Sequence, residues 1–446
     1  MSQTITFLDE VSGEVAVPVA AGQTLLEAAV AAKVPLFHDC DGRARCTTCR
    51  VRVVDGLEHL SARTSAEAEI ARTQAWSEDT RLACQAHTTG PLRLTRLVRQ
   101  EIRQQHPGDH DVWTRSEERQ LAVLFCDVNG FTEFASTCMP YDVVHVVNRL
   151  FLRIGEAVLA NSGYIDKYLG DGLLALWGVD GGEPRENVLN AIRAALSMKD
   201  LVAELSRHLQ PQFNTDLSLR IGLHFGPAIV GRIGHPARQQ LTAIGDTVNI
   251  AARVEVQNKD LRTNLLITEE CLAQVRDDVI VGDDFKTVLR SQSRPHRLYE
   301  ITGLRAPDAV FVVQRQIHSV LLHGHEFVHR FYQELFARSE EIRGLFKETL
   351  LPRQYDLFLN QLAWTVRELR HLPTIMAGLA DLGDRHRSYG VRPEHFPVAG
   401  EALLAALAAT LGDDFDAPSR AAWTEAFQGL AAAMQPQAGA APAPAA

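Results

Sequence analysis

The chain has 446 residues, enough for two to four domains that each bury a core. Its formal charge of −10 excludes a nucleic-acid partner, because a protein that grips phosphates needs a broad basic surface. No apolar run reaches bilayer length and the opening MSQTITFLDE lacks a basic-then-apolar signal pattern, so no membrane span is expected and the cytoplasm is the expected location.

Residues 1–98 contain short strand-like runs (TITFL, RVRVV, LRLTRLV) and four of the seven cysteines, in the pattern Cys40-x5-Cys46-x2-Cys49 with Cys84 far downstream. In a reducing compartment such a group suggests metal rather than disulfides. Four thiolates can hold zinc or an iron–sulfur cluster. A structural zinc site usually shows two close pairs, whereas here three ligands share a loop and the fourth is remote. Gly42, Ala44 and Thr47 leave that loop room to wrap a two-iron core. Cys126, Cys138 and Cys271 are scattered and suit small core positions.

With "RLACQ" around Cys84, this segment resembles the adrenodoxin-like [2Fe–2S] ferredoxins over residues 3–97. The resemblance implies an α+β β-grasp domain, a [2Fe–2S] cluster on Cys40, Cys46, Cys49 and Cys84, and a ferredoxin reductase as electron donor.

Residues 99–118 are polar, contain Pro107-Gly108 and read as linker. Residues 119–303 alternate apolar strands with amphipathic helices. Here LAVLFC (121–126) reads as a buried strand that delivers Asp127 into the turn of "DVNGFT". A second carboxylate, Asp171, falls at a hairpin tip between two short strands in "YIDKYLGDGLLALWG". Two aspartates on neighbouring strand ends suit Mg²⁺, which takes one or two carboxylates together with substrate phosphates. Backbone N–H groups of Asn129, Gly130, Phe131 and Thr132 would cradle those phosphates. In "TAIGDTVNIAARVE", Asn249 and Arg253 lie one helical turn apart, an amide for a ribose and a cation for a phosphoryl group gathering charge.

The three motifs in this order resemble the class III nucleotide cyclases from about Arg119 to Gly303. The resemblance implies an α/β domain with a βαββαβ core that pairs head to tail in a homodimer. Asp127, Asp171 and the Val128 carbonyl would hold two Mg²⁺ or Mn²⁺ ions per site, which activate the ribose 3′-OH of ATP and anchor its triphosphate. Asn249 would orient the ribose, and Arg253 would neutralise the α-phosphate in the transition state. Lys167 and Thr242 would read adenine. Thr242 stands where many adenylate cyclases have Asp and the bicarbonate-responsive subgroup has Thr. Guanylate cyclases typically have Glu at the position of Lys167.

Beyond Gly303 the strands stop, and residues 306–434 read as successive helices with apolar spacings of three and four. His386 shares a face with Ile375, Leu379 and Leu382, while Tyr332 and Gln354 sit on apolar faces where a polar group needs a partner. The stretches "RFYQELF", "IRGLF", "RHRSYGVRPEHFPVAGEALL" and "AAW" resemble the flavohaemoglobin-like globins. That implies an all-α globin domain with haem b, His386 as proximal ligand, Tyr332 and Gln354 at bound O₂ or NO, and Phe346 wedging the porphyrin. Phe396 replaces a proximal-side tyrosine, and the last helix lacks the family's glutamate, changes that favour reversible ligand binding. Residues 435–446 form a low-complexity tail expected to be disordered.

Two readings of the whole follow. One is an adenylate cyclase governed by cluster redox state and haem ligation. The other is an electron-transfer protein, ferredoxin to globin, for O₂ or NO chemistry, with the cyclase fold as a dimerising scaffold. The full set Asp127, Lys167, Asp171, Asn249 and Arg253 favours the first, since a scaffold has no use for it.

Overall fold

The computed structural model describes residues 3–9, 13–98, 116–235, 238–290, 292, 294–346 and 351–435. Most of the expected linker (99–115) and the tail beyond 435 lie outside the described residues. Contacts divide the chain into two units, Met1–Glu117 with Gly231–Gln240, and Glu118–Val230 with Leu241–Ala446.

In the first unit, β1 (Gln3–Asp9), β2 (Gly13–Val19), β3 (Arg50–Asp55), β4 (Thr80–Leu82) and β5 (Leu92–Arg96) form one sheet in the order β2-β1-β5-β3-β4. β1 pairs antiparallel with β2 and parallel with β5. Alternate residues Ile5 and Phe7, Val17 and Val19, and Leu92 and Leu94 face the core, as a period of two requires. Helix α1 (Leu25–Ala31) starts on a reciprocal cap: Thr24 Oγ1 accepts from the Glu27 N–H, and Glu27 Oε2 accepts from the Thr24 N–H. Helix α2 (Ser65–Thr73) is tied to β4 by a buried pair, with Arg81 Nε and Nη2 each 2.9 Å from one oxygen of Glu67.

The second unit carries β6 (Glu117–Asn129), α3 (Phe131–Thr137), α4 (Pro140–Ala160), β7 (Tyr164–Leu169), β8 (Gly172–Trp177) and α5 (Pro184–Phe213). Next in the chain come β9 (Ser218–His235) and β10 (Arg238–Ile244), of which residues 231–240 belong to the first unit, then α6 (Asp246–Leu261), β11 (Leu265–Thr268), α7 (Glu269–Val275), β12 (Val279–Val288) and β13 (Pro295–Leu304). The strands align as β12-β13-β11-β9-β6-β8-β7, with β10 on β9. Both faces of this sheet are covered. Along β6, Ala122, Leu124 and Cys126 face the core that includes α4 and α5, while Leu121 and Val123 join Ala251 of α6 on the other side.

One boundary differs from the sequence reading. β6 does not stop at Cys126 but runs through Asp127 to Asn129, so Asp127 is a strand residue. Pairing with β8 runs as far as Cys126 and Leu173, and the backbone stays extended for three residues beyond it. The turn then falls on Gly130 (φ 87°), where a Cβ would lie 2.5 Å from the Asp216 carbonyl oxygen.

Among the described residues seven α-helices follow: α8 (Ala309–Leu322), α9 (Gly324–Arg338), α10 (Glu340–Gly344), α11 (Leu351–Arg367), α12 (Leu372–Ser388), α13 (His395–Leu411) and α14 (Ala417–Met434). Their core gathers Val313, Phe327, Phe331, Leu403, Leu407 and Trp423. One stretch among the described residues, His395–Asp414, is long and apolar enough to cross a membrane by length and composition alone, a test that core helices also pass. Here Ala402, Leu403, Ala406 and Leu407 of that stretch are buried in the helical core.

Candidate functional site

Asp127 and Asp171 reach the same end of the sheet by different routes. Asp127 lies on β6 one residue past its last pair with β8, and Asp171 occupies the two-residue turn between β7 and β8. Gly172 is what allows the approach, since a Cβ there would lie 2.4 Å from the Cys126 carbonyl oxygen. Burial, then the charge of Asp127, lifts Asp171 above the ordinary carboxylate range. Two carboxylates brought this close, one lifting the other, suit a divalent cation, which removes the repulsion; the donor set fits Mg²⁺ or Mn²⁺.

Two neighbours leave no mark in the sequence pattern. Arg220 on β9 ion-pairs with Asp127, and its Nε lies 3.6 Å from Glu255 Oε1. Burial and the Asp127 charge push Glu255 up to about 7, and Arg220 acts in the opposite sense. The first-turn N–H groups of α3, at Phe131 and Thr132, carry no side-chain cap.

Lys167 and Thr242 also meet. Lys167 Nζ donates to Thr242 Oγ1 at 3.1 Å, and the Tyr164 hydroxyl donates to the Leu241 carbonyl beside it. A third residue, missed by sequence reasoning, completes this cluster: Thr242 Oγ1 donates to Asp166 Oδ2 at 2.5 Å, and Lys167 Nζ lies 3.3 Å from Asp166 Oδ1. Asn249 and Arg253 stand one turn apart on α6, with Asn249 exposed. Among the described residues, no hydrogen bond or ion pair of this single chain joins Asp127 or Asp171 to Lys167, Thr242, Asn249 or Arg253.

In the first unit the four grouped cysteines are free thiols arranged as two pairs, Cys40 with Cys46 and Cys49 with Cys84. Among the described residues no three or more His, Cys, Asp or Glu side chains gather as one metal-binding group. Two pairs, rather than one foursome, match a two-iron cluster in which each iron takes two thiolates, so the donor set fits [2Fe–2S] better than a mononuclear zinc. The Cys40–Cys46 loop bends through left-handed backbone at Asp41, Gly42 and Ala44. A hydrogen bond from Cys49 holds the Cys84 thiol down at about 6, and the same contact together with burial raises Cys49.

In the helical part, a largely apolar cavity of about 430 Å³ is lined by Tyr332, Phe346, Gln354, Leu379, Leu382 and His386. His386 Nδ1 donates to the Leu382 carbonyl at 2.8 Å, which leaves Nε2 with a free lone pair for a metal. Opposite chemistry comes from Tyr332, which is 4% exposed and pushed up to about 12 by burial, with Gln354 hydrogen-bonded to it. Tyr332 also stacks on Tyr355 at 5.7 Å and meets Phe346 edge-on. One imidazole lone pair and a buried polar pair in an apolar cavity fit a haem. Phe396 and the buried His395 line the same cavity, and His395 was not singled out by the sequence.

A joint connects the helical part to the sheet part within the second unit. Gln314 of α8 is 4% exposed. Its Nε2 donates to the Ala160 carbonyl at the end of α4 (3.2 Å), and to those of Val366 (3.2 Å) and Arg367 (3.0 Å) at the end of α11. Carbonyls at helix C-termini lack partners within their own helix, and one amide supplies them here for two helices. Nearby, Ser162 Oγ meets His371 Nε2 at 3.2 Å, and Arg367 lies 3.5 Å from Glu156.

Comparison with known proteins places these geometries. Residues 9–89 match the 2Fe-2S iron-sulfur cluster binding domain, 114–292 the adenylate and guanylate cyclase catalytic domain, and 329–434 the globin domain. The chain is 30% identical over 208 residues to adenylate cyclase 1 of Rhizobium meliloti, covering 47% of this chain and 30% of that one. It is 33% identical over 155 residues to the adenylate cyclase of Anabaena cylindrica, covering 34% and 30%. The chain thus spans under a third of the length of these relatives. The crystal structure of the adenylyl cyclase CyaB from P. aeruginosa aligns with 43% of this chain and 97% of its own, at 24% identity and a TM-score of 0.41.

Proposed function

From a chain that carries, in order, an iron–sulfur cluster binding domain, a nucleotide cyclase catalytic domain and a globin domain, we propose that the catalytic domain is an adenylate cyclase. The ribose 3′-oxygen of ATP attacks the α-phosphorus, the bond to the bridging oxygen breaks, and pyrophosphate leaves. The observation that carries this reading is the Lys167–Thr242 contact at 3.1 Å, a donor and a hydroxyl side by side where an adenine edge needs a donor for N1 and an acceptor for its amino group. The matched relatives named adenylate cyclase support the same base.

Asp127 and Asp171 would hold the divalent ions, Mg²⁺ or Mn²⁺, which supply charge neutralisation at the triphosphate and activate the attacking hydroxyl. Asn249 holds the ribose in line, and Arg253 neutralises charge developing on the α-phosphate. The N–H groups at Phe131 and Thr132, beyond the Gly130 turn, face the phosphates. Since one chain leaves its two residue groups unconnected, the site is shared between two chains paired head to tail, Asp127 and Asp171 from one and Lys167, Thr242, Asn249 and Arg253 from the other.

Complementation tests this. Asp127→Ala and Arg253→Ala are each inactive alone, and mixing them restores activity because the heterodimer gathers both lesions into one site and leaves the other intact. Asp127→Ala mixed with Asp171→Ala gives no rescue. Two mixtures equally inactive despite subunit exchange would defeat the shared site. Equal turnover of ATP and GTP by the unmutated protein would defeat the adenylate reading.

The flanking domains set the regulation. Cys40, Cys46, Cys49 and Cys84 would hold a [2Fe–2S] cluster, supplying one-electron chemistry open to a ferredoxin reductase, and His386 would hold a haem b, with Tyr332 and Gln354 as hydrogen-bonding groups for O₂ or NO. The Gln314 joint gives haem ligation a mechanical path to α4 and so to β7, which carries Lys167.

A further inference from the structure

Lys167 alone does not distinguish the two purines. Its ammonium can donate to adenine N1, and equally to guanine O6. Discrimination rests on the second atom, which must accept from the adenine amino group and repel the guanine carbonyl. A threonine hydroxyl is ambiguous in this respect, because it rotates to donate or to accept. An aspartate at that position would be an acceptor only.

The structure removes the ambiguity at Thr242. Its hydroxyl proton is committed to Asp166 Oδ2 at 2.5 Å, and one lone pair accepts from Lys167 Nζ at 3.1 Å. What remains on that oxygen is a lone pair. Asp166 can do this because of a local break in β7. Ile165 pairs with Ala175 of β8, yet Lys167 pairs with Leu174, so Asp166 is the extra residue of a bulge. In a regular strand residues 166 and 167 point to opposite faces, whereas the bulge lets both side chains reach one hydroxyl. The Asp166 side chain is fully buried, and Lys167 is about one-third exposed (36%), as a group at the open edge of a site should be.

We propose that Asp166 is the positioning residue that sets base choice, by holding the Thr242 hydroxyl as an acceptor for an exocyclic amino group. This rests on the reading of Lys167 and Thr242 as the base-recognising pair. A carboxylate buried between an ammonium and a hydroxyl thereby gives threonine the polarity of a carboxylate without adding a charge at the base.

The test is Asp166→Asn in the full-length protein. The new amide turns its oxygen to the Lys167 ammonium, because the reverse sets NH₂ against a cation. Its NH₂ then faces Thr242, whose own proton is released toward the substrate. The ratio of kcat/KM for ATP over GTP should fall by tenfold or more. A purely structural role would lower both nucleotides alike and leave the ratio unchanged, which overturns the assignment. A second measurement needs no variant. Purine riboside triphosphate, which lacks the amino group, should be at least tenfold poorer than ATP for the unmutated protein, and equal efficiency would overturn the acceptor role. If the unmutated protein fails to prefer ATP over GTP, the adenylate reading falls and this inference with it. If it prefers ATP and Asp166→Asn keeps the same ratio, this inference falls alone.

Discussion

Arg220 is ion-paired with Asp127, so a protein cation already rests on the carboxylate that a divalent ion would use. Both side chains are partly exposed, at 20% and 33%, which keeps the pair's own contribution small, about 1 kcal/mol. Its larger effect is competition. Arg220→Met should lower the melting temperature slightly without added cation and enlarge the rise produced by Mg²⁺ or Mn²⁺. Thermal melts with and without each ion check this, and an equal rise in both proteins shows that Arg220 does not compete.

The Glu67–Arg81 pair in the first unit behaves differently, because both side chains are buried, at 0% and 4% exposure. Glu67 Oε1 also accepts from the Leu82 N–H at 2.7 Å, two residues before Cys84. Removing one partner strands a buried charge, so Glu67→Ala should cost roughly 3–5 kcal/mol. The expected outcome is loss of acid-labile sulfide and of the visible iron–sulfur spectrum, with haem content unchanged. Retention of a full cluster complement would contradict it.

Gln314→Leu keeps the volume of the side chain but leaves the carbonyls of Ala160, Val366 and Arg367 without their donor. The cost should be about 1–3 kcal/mol, read from denaturant midpoints. If the joint transmits haem ligation, the difference in cyclic AMP production between ligand-free and CO-bound protein should shrink toward zero. The haem spectrum should stay that of the unmutated protein. An unchanged difference would assign the coupling to another path.

His224 predicts a pH effect. It is 5% exposed, its Nδ1 lies 2.8 Å from Thr268 Oγ1, and burial pulls it down to about 4. The folded protein therefore holds it neutral where the unfolded chain, with a pKa near 6.5, takes up a proton. Stability is full above the unfolded value and falls as pH drops from about 6.5 toward 4. At pH 5 the loss should be about 2 kcal/mol. His224→Gln should flatten the dependence of the unfolding free energy on pH across that window; an unaltered slope would place the acid sensitivity elsewhere.

Much of this architecture is legible in the sequence because it is written in local signals. The Cys40–Cys49 loop, the turn at Gly170 and Asp171, and the one-turn spacing of Asn249 and Arg253 each need only a few neighbouring residues to be recognised. The strand carrying Asp127 extends three residues past its apolar run, which hydropathy cannot show. Asp166 is hidden for a sharper reason. Alternation puts it on the opposite face from Lys167, and a bulge leaves no mark in composition. Arg220, Glu255 and Gln314 are ordinary polar residues in their own elements, and only the tertiary fold reveals their partners.

The acceptors of the Gln314 amide are all main-chain carbonyls. Every amino acid offers such a carbonyl, so substitutions at positions 160, 366 and 367 can accumulate without erasing the joint, while position 314 is held to an amide of the right reach. Tolerance is lopsided: broad on the accepting helices, narrow on the donating one. A globin module from another source could be exchanged for this one provided its first helix brought the glutamine and its α11 equivalent ended at the same height. A builder of chimeric sensors would therefore carry over that glutamine and the two helix ends, together with the flanking contacts of Ser162 with His371 and of Arg367 with Glu156.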